Sequence, residues 1–392
     1  MATTLLRDLR PSQTPKSTSI DELSTDYVSR HTYERLPKMF SRRSYNFVFC
    51  VPFEQDERGK TRTRWFSITI HAADPDTGTG GVCPKEKKKL LASFWEGKLP
   101  MIKGFAALGS NVYSFGGLTY PIYLSNVYKL DATTPHPRRV CPMISPRYNS
   151  HSLVLDGKIY VFSGHLGHRS IPPTECRDEV CWGEVFNPDN GRWEALPDPP
   201  YDSRVTTLAA ALENPNRILV GFGVPGKRKT AVFCTYNVQN RSWEFLEPAE
   251  RKIHPNYPVG SVGSLQKTVT VDNTLYWVAR KANEIILIAY NLDLDMWLEG
   301  RFQGLGILLF EDDHELSIQF PFLFHLEKQR FCLIQTSSHL TPDGHFPSDA
   351  DLHCVAVDIS HMPGKNRLDI SLAWEQIHKV DGPGGLSDCL LL

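Results

Sequence analysis

The sequence predicts an all-β fold made of repeated four-stranded sheets, and two recurring patterns carry this prediction. An aromatic residue is followed seven residues later by tryptophan in three places, and a short apolar strand recurs six times at intervals of 47 to 65 residues. Repetition at such a period is typical of arrays in which each unit buries an apolar face against its neighbour. The six apolar segments are FVFCVP (47–52), VYSFGG (112–117), IYVFSG (159–164), ILVGFG (218–223), LYWVAR (275–280) and FCLIQT (331–336).

The order of strands within one unit is clearest in HSLVLDGKIYVFSGH, residues 151–165. An apolar run, an Asp-Gly turn and a second apolar run predict a hairpin of an innermost and a second strand. The small pairs Gly116-Gly117 and Ser163-Gly164 end two of the second strands, where backbones must approach closely or φ must become positive. A third and a fourth strand then complete the unit.

The aromatic and tryptophan pairs predict the third and fourth strands. Each pair encloses a polar turn such as NPDNG or NVQN, so we expect a hairpin in which the indole covers the flank of the neighbouring unit. The pairs are Phe186 and Trp193, Tyr236 and Trp243, and Tyr290 and Trp297. We therefore interpret the tryptophans as packing residues rather than as ligand contacts.

These elements together resemble the kelch-repeat family, found in many plant proteins and in galactose oxidase. The strands GSNVYSFGG and DGKIYVFSG, the hairpins VFNPDNGRW, TYNVQNRSW and AYNLDLDMW, and the link LPDPP carry the resemblance, which is strongest for residues 104–243. It implies a six-bladed β-propeller with about 56 residues per blade. We expect a flexible tail over 1–42, the propeller over 43–380 and a C-terminal tail over 381–392.

Family members often close the ring with a strand from one terminus. The candidate closing strands are 368–380 and the segment before Ser44, and residues 81–100 read as a charged insertion before the outer strand of the first blade. Many plant members carry an F-box ahead of the propeller. The tail here is too short and lacks periodic apolar residues, so we expect no F-box.

Composition excludes several classes of function. The 392 residues include 43 basic and 44 acidic ones, so no overall field attracts nucleic acid or anionic lipid. No apolar run is long enough for a membrane span or a secretory signal, which predicts a cytoplasmic or nuclear protein.

The nine cysteines show no framework spacing, and we expect reduced thiols, with Cys50 and Cys234 in strand cores. A closed ring leaves no free sheet edge, so we expect a monomer.

Binding residues are predicted on one end of the ring, where the loops after the second strands and the links between blades surround the channel. In the kelch family, arginines at positions comparable to Arg147 and Arg204 bind acidic peptide groups at the channel mouth. The resemblance implies the same role for these two residues. Their alternative role is a salt bridge or carbonyl contact that ties one blade to the next. The other candidate binding residues are Tyr148, His151, His165, His168, Tyr201, Arg228, His254 and Tyr257.

Three further patterns in the sequence resemble ligand sites. His165, His168, Cys176 and Cys181 are ligand types that suit zinc, but their spacing matches no known finger, so we expect no metal or other cofactor. The segment GFGVPGKR (221–228) imitates a phosphate loop but precedes a strand instead of a helix, which excludes nucleotide binding. Plant specifier enzymes of this family use a Glu-x3-Asp-x3-His iron set. The chain has Glu194, Asp198 and Asp202, without the histidine.

The sequence predicts a binding scaffold that presents its channel face to a protein, a peptide or a small molecule. The alternative is a plant specialised-metabolism enzyme, a lyase or isomerase, with Tyr148, His151, His165, His168 or Tyr201 as acid or base.

Overall fold

The structure is a computed structural model. It describes residues 44–55, 60–71, 90–100, 104–119, 122–131, 136–166, 181–201, 206–213, 215–224, 226–227, 229–257, 267–281, 284–302, 321–337, 349–362, 364–381 and 385–392. The predicted tail over 1–42 lies outside these residues. Along the described chain there is no helix of the length and apolar character that a membrane crossing requires.

The described strands form six antiparallel sheets that are the blades of a β-propeller. From the channel outward, blade 1 has Asp388–Leu391, Ser44–Gln55, Lys60–His71 and Trp95–Pro100, and blade 2 has Gly104–Leu108, Asn111–Phe115, Val127–Asp131 and Arg138–Val140. Blade 3 has His151–Leu155, Lys158–Phe162, Gly183–Asn187 and Arg192–Ala195, and blade 4 has Thr206–Leu212, Arg217–Gly223, Thr230–Asn237 and Ser242–Lys252. Blade 5 has Val269–Val271, Thr274–Lys281, Glu284–Asn291 and Met296–Arg301, and blade 6 has Phe322–Glu327, Arg330–Ser337, Asp349–His361 and Leu368–Asp381. The six-bladed fold is therefore confirmed.

The six apolar segments of the sequence pattern occupy one equivalent place, the second strand of each blade. In blade 3 the predicted Asp-Gly turn joins the first two strands, with φ of 52° at Asp156 and 66° at Gly157. Leu155 pairs with Lys158 across this turn, which leaves a two-residue loop. Positive φ at both positions matches the twist of the flanking strands, which is why Asp-Gly suits it.

The third and fourth strands pair as the seven-residue spacing predicts. Phe186 faces Trp193, Tyr236 faces Trp243 and Tyr290 faces Trp297 in the antiparallel registers. The asparagine after each aromatic residue accepts hydrogen bonds from backbone N–H groups of the turn through its Oδ1. These local hydrogen bonds favour a turn at this point of the chain.

The tryptophans tie neighbouring blades together, as expected. The Nε1–H of Trp193 donates to the Cys141 carbonyl at 3.0 Å, that of Trp243 to the Pro197 carbonyl at 2.9 Å, and that of Trp297 to the Lys252 carbonyl at 2.8 Å. Each acceptor lies at or just after the end of the preceding blade. Each tryptophan thus packs its ring between two blades and also donates a hydrogen bond to the end of the preceding blade or to the link that follows it.

Among the described residues the core forms six clusters, each between two adjacent blades. Strand periodicity explains this arrangement, because alternate residues of one strand point to opposite faces. In blade 1, Phe47, Phe49 and Val51 pack against blade 6, whereas Val48 and Cys50 pack toward blade 2. Cys234 is likewise fully buried, in the cluster between blades 3 and 4, as predicted.

The closing strand differs from both candidates. Asp388–Leu391 forms the innermost strand of blade 1, with Phe47 opposite Leu391 and Cys50 opposite Asp388. Residues 368–380 form the outer strand of blade 6 instead. The prediction of a C-terminal tail from 381 is therefore wrong for these four residues, of which Cys389 and Leu390 are buried in the core clusters on the two sides of blade 1.

The prediction of a charged insertion over 81–100 is also wrong for its last residues, because Trp95–Pro100 is the outer strand of blade 1. Ahead of that strand, Leu90–Leu91 pairs in parallel with Lys379 and Val380 on the rim of blade 6. Blades 1 and 6 are thus joined by backbone hydrogen bonds at the rim, in addition to the closing strand beside the channel.

Candidate functional site

One end of the ring carries the loops after the second strands and the links between blades, because the strands of each blade are antiparallel. The structure describes this end most fully around blades 2 and 3. We call this region the loop platform and define it as residues 116–119, 122–126, 141–150, 163–166 and 181–182. Two short hairpins lie within it, Leu118–Thr119 with Ile122–Tyr123 and Arg147–Tyr148 with His165–Leu166.

Arg147 is fully buried beneath the platform, which corrects its predicted role as a peptide anchor. Its Nε donates to Glu184 Oε1 at 3.0 Å, and its terminal nitrogens donate to the carbonyls of Ser163, Trp182 and Cys181 at 3.0, 2.9 and 2.7 Å. A buried guanidinium needs this many acceptors to offset the loss of water. The side chain therefore has the alternative role, a salt bridge with carbonyl contacts between blades.

The backbone of Arg147 binds the other side of the platform. Its N–H donates to the Leu124 carbonyl at 3.0 Å, and its carbonyl accepts from the Gly117 N–H at 2.9 Å. The link from blade 2 to blade 3 is consequently bonded to the loops of both blades. Arg147 thus fixes two loops that come from different sheets.

The glycines that end the second strands make room for this link. A Cβ at Gly116, where φ is 63°, would lie 2.1 Å from the Arg147 carbonyl oxygen. A Cβ at Gly164, where φ is 88°, would lie 2.9 Å from the Tyr148 carbonyl oxygen. The close approach predicted from the small-residue pairs is confirmed, and its partner is the link between the two blades.

Glu184 holds the same link from below. Its carboxylate accepts from the backbone N–H groups of Ile144 and Ser145 at 2.6 and 3.3 Å, in addition to Arg147. The Ser145 hydroxyl accepts from the Cys181 N–H at 2.9 Å. This network joins the link to the loop of blade 3, and nearly all of its polar groups are occupied within it.

Apolar and aromatic side chains of the platform are exposed or partly exposed to solvent. Ile122 is 46% exposed and Ile144 is 39% exposed. The rings of Tyr123 and Tyr148 stack with centroids 6.0 Å apart and planes 4° apart. Burial, with a smaller contribution from Tyr123, raises the pKa of Tyr148, so its hydroxyl stays protonated at neutral pH. Large rigid aromatic and aliphatic surfaces of this kind are typical of protein contacts.

His151 lies at the start of the innermost strand of blade 3, where its ring stacks on Phe162 at 6.1 Å. Burial lowers its pKa to about 4, although a hydrogen bond with the backbone of Thr206 acts in the opposite direction. The imidazole is therefore neutral at pH 7 and a weak base there. The neutral His151 and the protonated Tyr148 thus give no support to either residue as the acid or base of the alternative enzyme.

The other predicted residues divide between described and undescribed parts of the chain. The backbone of His165 pairs with Tyr148, and Tyr201 packs at 5.9 Å from Phe222 between blades 3 and 4. Glu194 of the iron-like pattern forms an exposed ion pair with Arg241 at 3.0 Å on the outer strand, away from the channel. His168, Arg204, Arg228, Cys176 and Asp202 lie outside the described residues, so the zinc pattern is untested.

His254 and Tyr257 form a separate cluster with Trp297 on the flank of blades 4 and 5. Their ring centroids lie 5.8 and 6.0 Å from that of Trp297. Tyr257 is buried, and burial raises its pKa well above the ordinary value. It is therefore a core residue, whereas His254 lines an open cleft.

Sequence reasoning found the loops of the platform but missed its key residues. Glu184 is the second residue of an ordinary third strand, Gly183–Asn187, and no spacing links it to Arg147. Ile122 and Tyr123 lie in LTYPIYLSN, a loop after a second strand, and are absent from the candidate binding residues named above. An apolar pair in a loop bounded by Pro was the one signal that could have identified them.

A family model supports the resemblance drawn from the repeats. The model described as Kelch motif matches residues 146–200, which run from the Arg147 link through blade 3. The chain thus contains a kelch motif and is similar to kelch-repeat proteins. The repeats and the propeller fold together support a protein-interaction scaffold in general.

Curated relatives match parts of the chain. An F-box/kelch-repeat protein of Arabidopsis thaliana is 27% identical over 204 residues, covering 50% of this chain and 46% of that protein. A putative F-box/kelch-repeat protein of the same plant is 27% identical over 143 residues, covering 36% of this chain and 34% of that protein. Spermatocyte protein spe-26 of Caenorhabditis elegans is 33% identical over 136 residues, covering 34% of this chain and 23% of that protein. The chain thus spans about a quarter to a half of the length of these relatives.

Proposed function

We propose that this kelch propeller is a scaffold that binds a peptide segment of a partner protein on the loop platform. The observation that carries the proposal is the layered construction of the platform. A buried ion pair with carbonyl contacts fixes the loops, and the same loops carry the exposed Ile122 and Ile144 and the stacked Tyr123 and Tyr148.

This construction supports binding because a fixed surface loses little conformational entropy when a partner docks. Aromatic and aliphatic anchors supply most of the binding energy in such contacts. His168, Arg204 and Arg228, which the sequence assigns to the same end of the ring, are proposed as polar contacts around these anchors.

Selection of binding peptides from a random display library, followed by titration calorimetry, tests the proposal. The variants Ile122→Glu and Ile144→Glu are expected to weaken selected peptides by about tenfold or more, equivalent to about 1.4 kcal/mol. Leu294→Glu is the matched control, because Leu294 is 63% exposed in a hairpin turn at the other end of the ring.

The control is expected to keep the affinity within about twofold of the original protein, since an equally exposed residue away from the contact contributes little. Selected peptides that bind the double variant Ile122→Glu/Ile144→Glu as tightly as the original protein would place the binding surface elsewhere. Failure to enrich any peptide would also count against the proposal.

A further inference from the structure

An open cleft of about 540 Å³ lies on the flank of the ring, apart from the loop platform. Three blades build it. The link after blade 4 contributes His254, the outer strand of blade 5 contributes Trp297, Glu299 and Arg301, and the turn before the outer strand of blade 6 contributes Asn366 and Arg367. The Glu299 N–H donates to the Asn366 carbonyl at 3.4 Å, which fixes the blade 6 side against blade 5.

Positive charge is in excess in this cleft. The carboxylate of Glu299 is paired with Lys281, whose Nζ lies 2.7 and 2.9 Å from its two oxygens. Arg301 has a weak partner, because its guanidinium lies 3.8 Å from Glu284 and both side chains are more than half exposed. Arg367 is exposed and forms no ion pair with any residue that the structure describes. Two guanidinium groups are thus available to an incoming anion.

A flat apolar wall lies beside these guanidinium groups. The indole of Trp297 is held in place by its hydrogen bond to the Lys252 carbonyl, and the His254 ring lies 5.8 Å away, tilted by 46°. Burial lowers the pKa of His254, with Lys281 adding to the effect and Glu299 opposing it. The imidazole is therefore uncharged at neutral pH, and the wall can pack against an apolar or aromatic group.

We propose that the cleft binds an acidic peptide segment, with a carboxylate on Arg301 and Arg367 and a neighbouring apolar side chain against Trp297. A guanidinium fork matches the two oxygens of a carboxylate. The volume lies within the range of ligand sites, but the cleft is open, whereas small-molecule sites enclose most of the ligand surface. A segment of a larger partner fits such a cleft better. The proposal does not depend on the loop platform.

Fluorescence anisotropy with the labelled peptide Glu-Glu-Phe-Glu-Glu tests this site directly. The variant Arg301→Glu/Arg367→Glu reverses the charge of two exposed residues, so the fold is expected to be retained. Arg138→Glu/Arg192→Glu is the matched control, with the same change in net charge at exposed positions of blades 2 and 3. The cleft variant is expected to lose about tenfold or more in affinity, and the control to stay within about threefold.

Two further probes identify the ligand chemistry. The peptide Gln-Gln-Phe-Gln-Gln is expected to bind at least about tenfold more weakly, because it lacks the charge that pairs with guanidinium. Succinate is expected to displace the acidic peptide only at concentrations far above the Kd of that peptide. Equal loss in the two double variants, no binding of the acidic peptide at millimolar concentration, or displacement by succinate at the Kd of the peptide would each overturn the proposal.

Discussion

Removing one partner of the buried pair of Arg147 and Glu184 is expected to cost far more stability than removing one partner of an exposed pair of the same chemistry. Both side chains are 0% exposed, and the guanidinium also satisfies three backbone carbonyls. Arg147→Ala leaves the Glu184 carboxylate buried without its cation. Removing one partner of such a pair costs about 3 to 5 kcal/mol, mostly the penalty of the uncompensated charge.

This free energy corresponds to a measurable shift in melting temperature. Unfolding entropy near 60 °C is about 2.1 cal/mol/K per residue, or about 0.7 kcal/mol/K for the unit Arg43–Leu392. Arg147→Ala should therefore lower the Tm by about 4 to 7 °C in differential scanning calorimetry. Arg241→Ala is the control, because Arg241 and Glu194 are paired at the same 3.0 Å but are 54% and 53% exposed.

The control should change the Tm by less than about 1.5 °C, since exposed pairs contribute about 0 to 1 kcal/mol. Glu184→Ala should reproduce the loss seen for Arg147→Ala. The double variant Arg147→Ala/Glu184→Ala should lose less than the sum, because the second change removes the charge that the first one leaves unpaired. Equal shifts for Arg147→Ala and Arg241→Ala would refute the reasoning.

Three other predictions concern the glycines, one histidine and the closing strand. In urea unfolding, Gly116→Ala should destabilise the fold by about 1 to 3 kcal/mol more than Gly109→Ala. The two glycines have similar φ, 63° and 60°, but of the two only Gly116 has atoms within contact distance of the new Cβ. Equal losses for the two variants would contradict the predicted clash. Burial lowers the pKa of His151 to about 4, so between pH 6.5 and 4 the unfolded chain binds a proton that the folded protein does not. Stability that is present above pH 6.5 is therefore lost as the pH falls toward 4. His151→Gln should remove up to about 3 kcal/mol of that pH dependence, and parallel curves for the two proteins would count against it. Deleting residues 385–392 removes Leu386, Cys389 and Leu390 from the core and should cost at least about 6 kcal/mol, seen by circular dichroism as a lower and broader melt; an unchanged melt would disprove the role of this strand.

Features that repeat along the chain were predictable from the sequence. The seven-residue spacing of Tyr236 and Trp243 reports a hairpin, because both residues must face one another across a short turn. The Asp-Gly at 156–157 has a local conformational requirement that few other residues meet. Such signals depend on neighbours in the chain, so they can be recognised without knowing the fold.

Features that depend on distant partners were not predictable. Asp388–Leu391 is a short apolar run after a Gly-rich segment, and only its pairing with residues 47–50 makes it a strand of the propeller. Arg147 follows a proline link as a channel-mouth arginine would, but its burial depends on Glu184, 37 residues away. The cleft beside Trp297 combines three blades, and no single segment of the sequence indicates it.

The pairing of blade 1 with both ends of the described chain also orders events during synthesis. Ser44–Gln55 leaves the ribosome first among the described strands, yet its inner neighbour, Asp388–Leu391, leaves last. Until then, the nascent chain exposes an unpaired backbone edge and the aromatic rings of Phe47 and Phe49, which is the kind of surface that chaperones recognise. The ribosome must therefore translate past residue 391 before the inner edge of the strand Ser44–Gln55 can be paired.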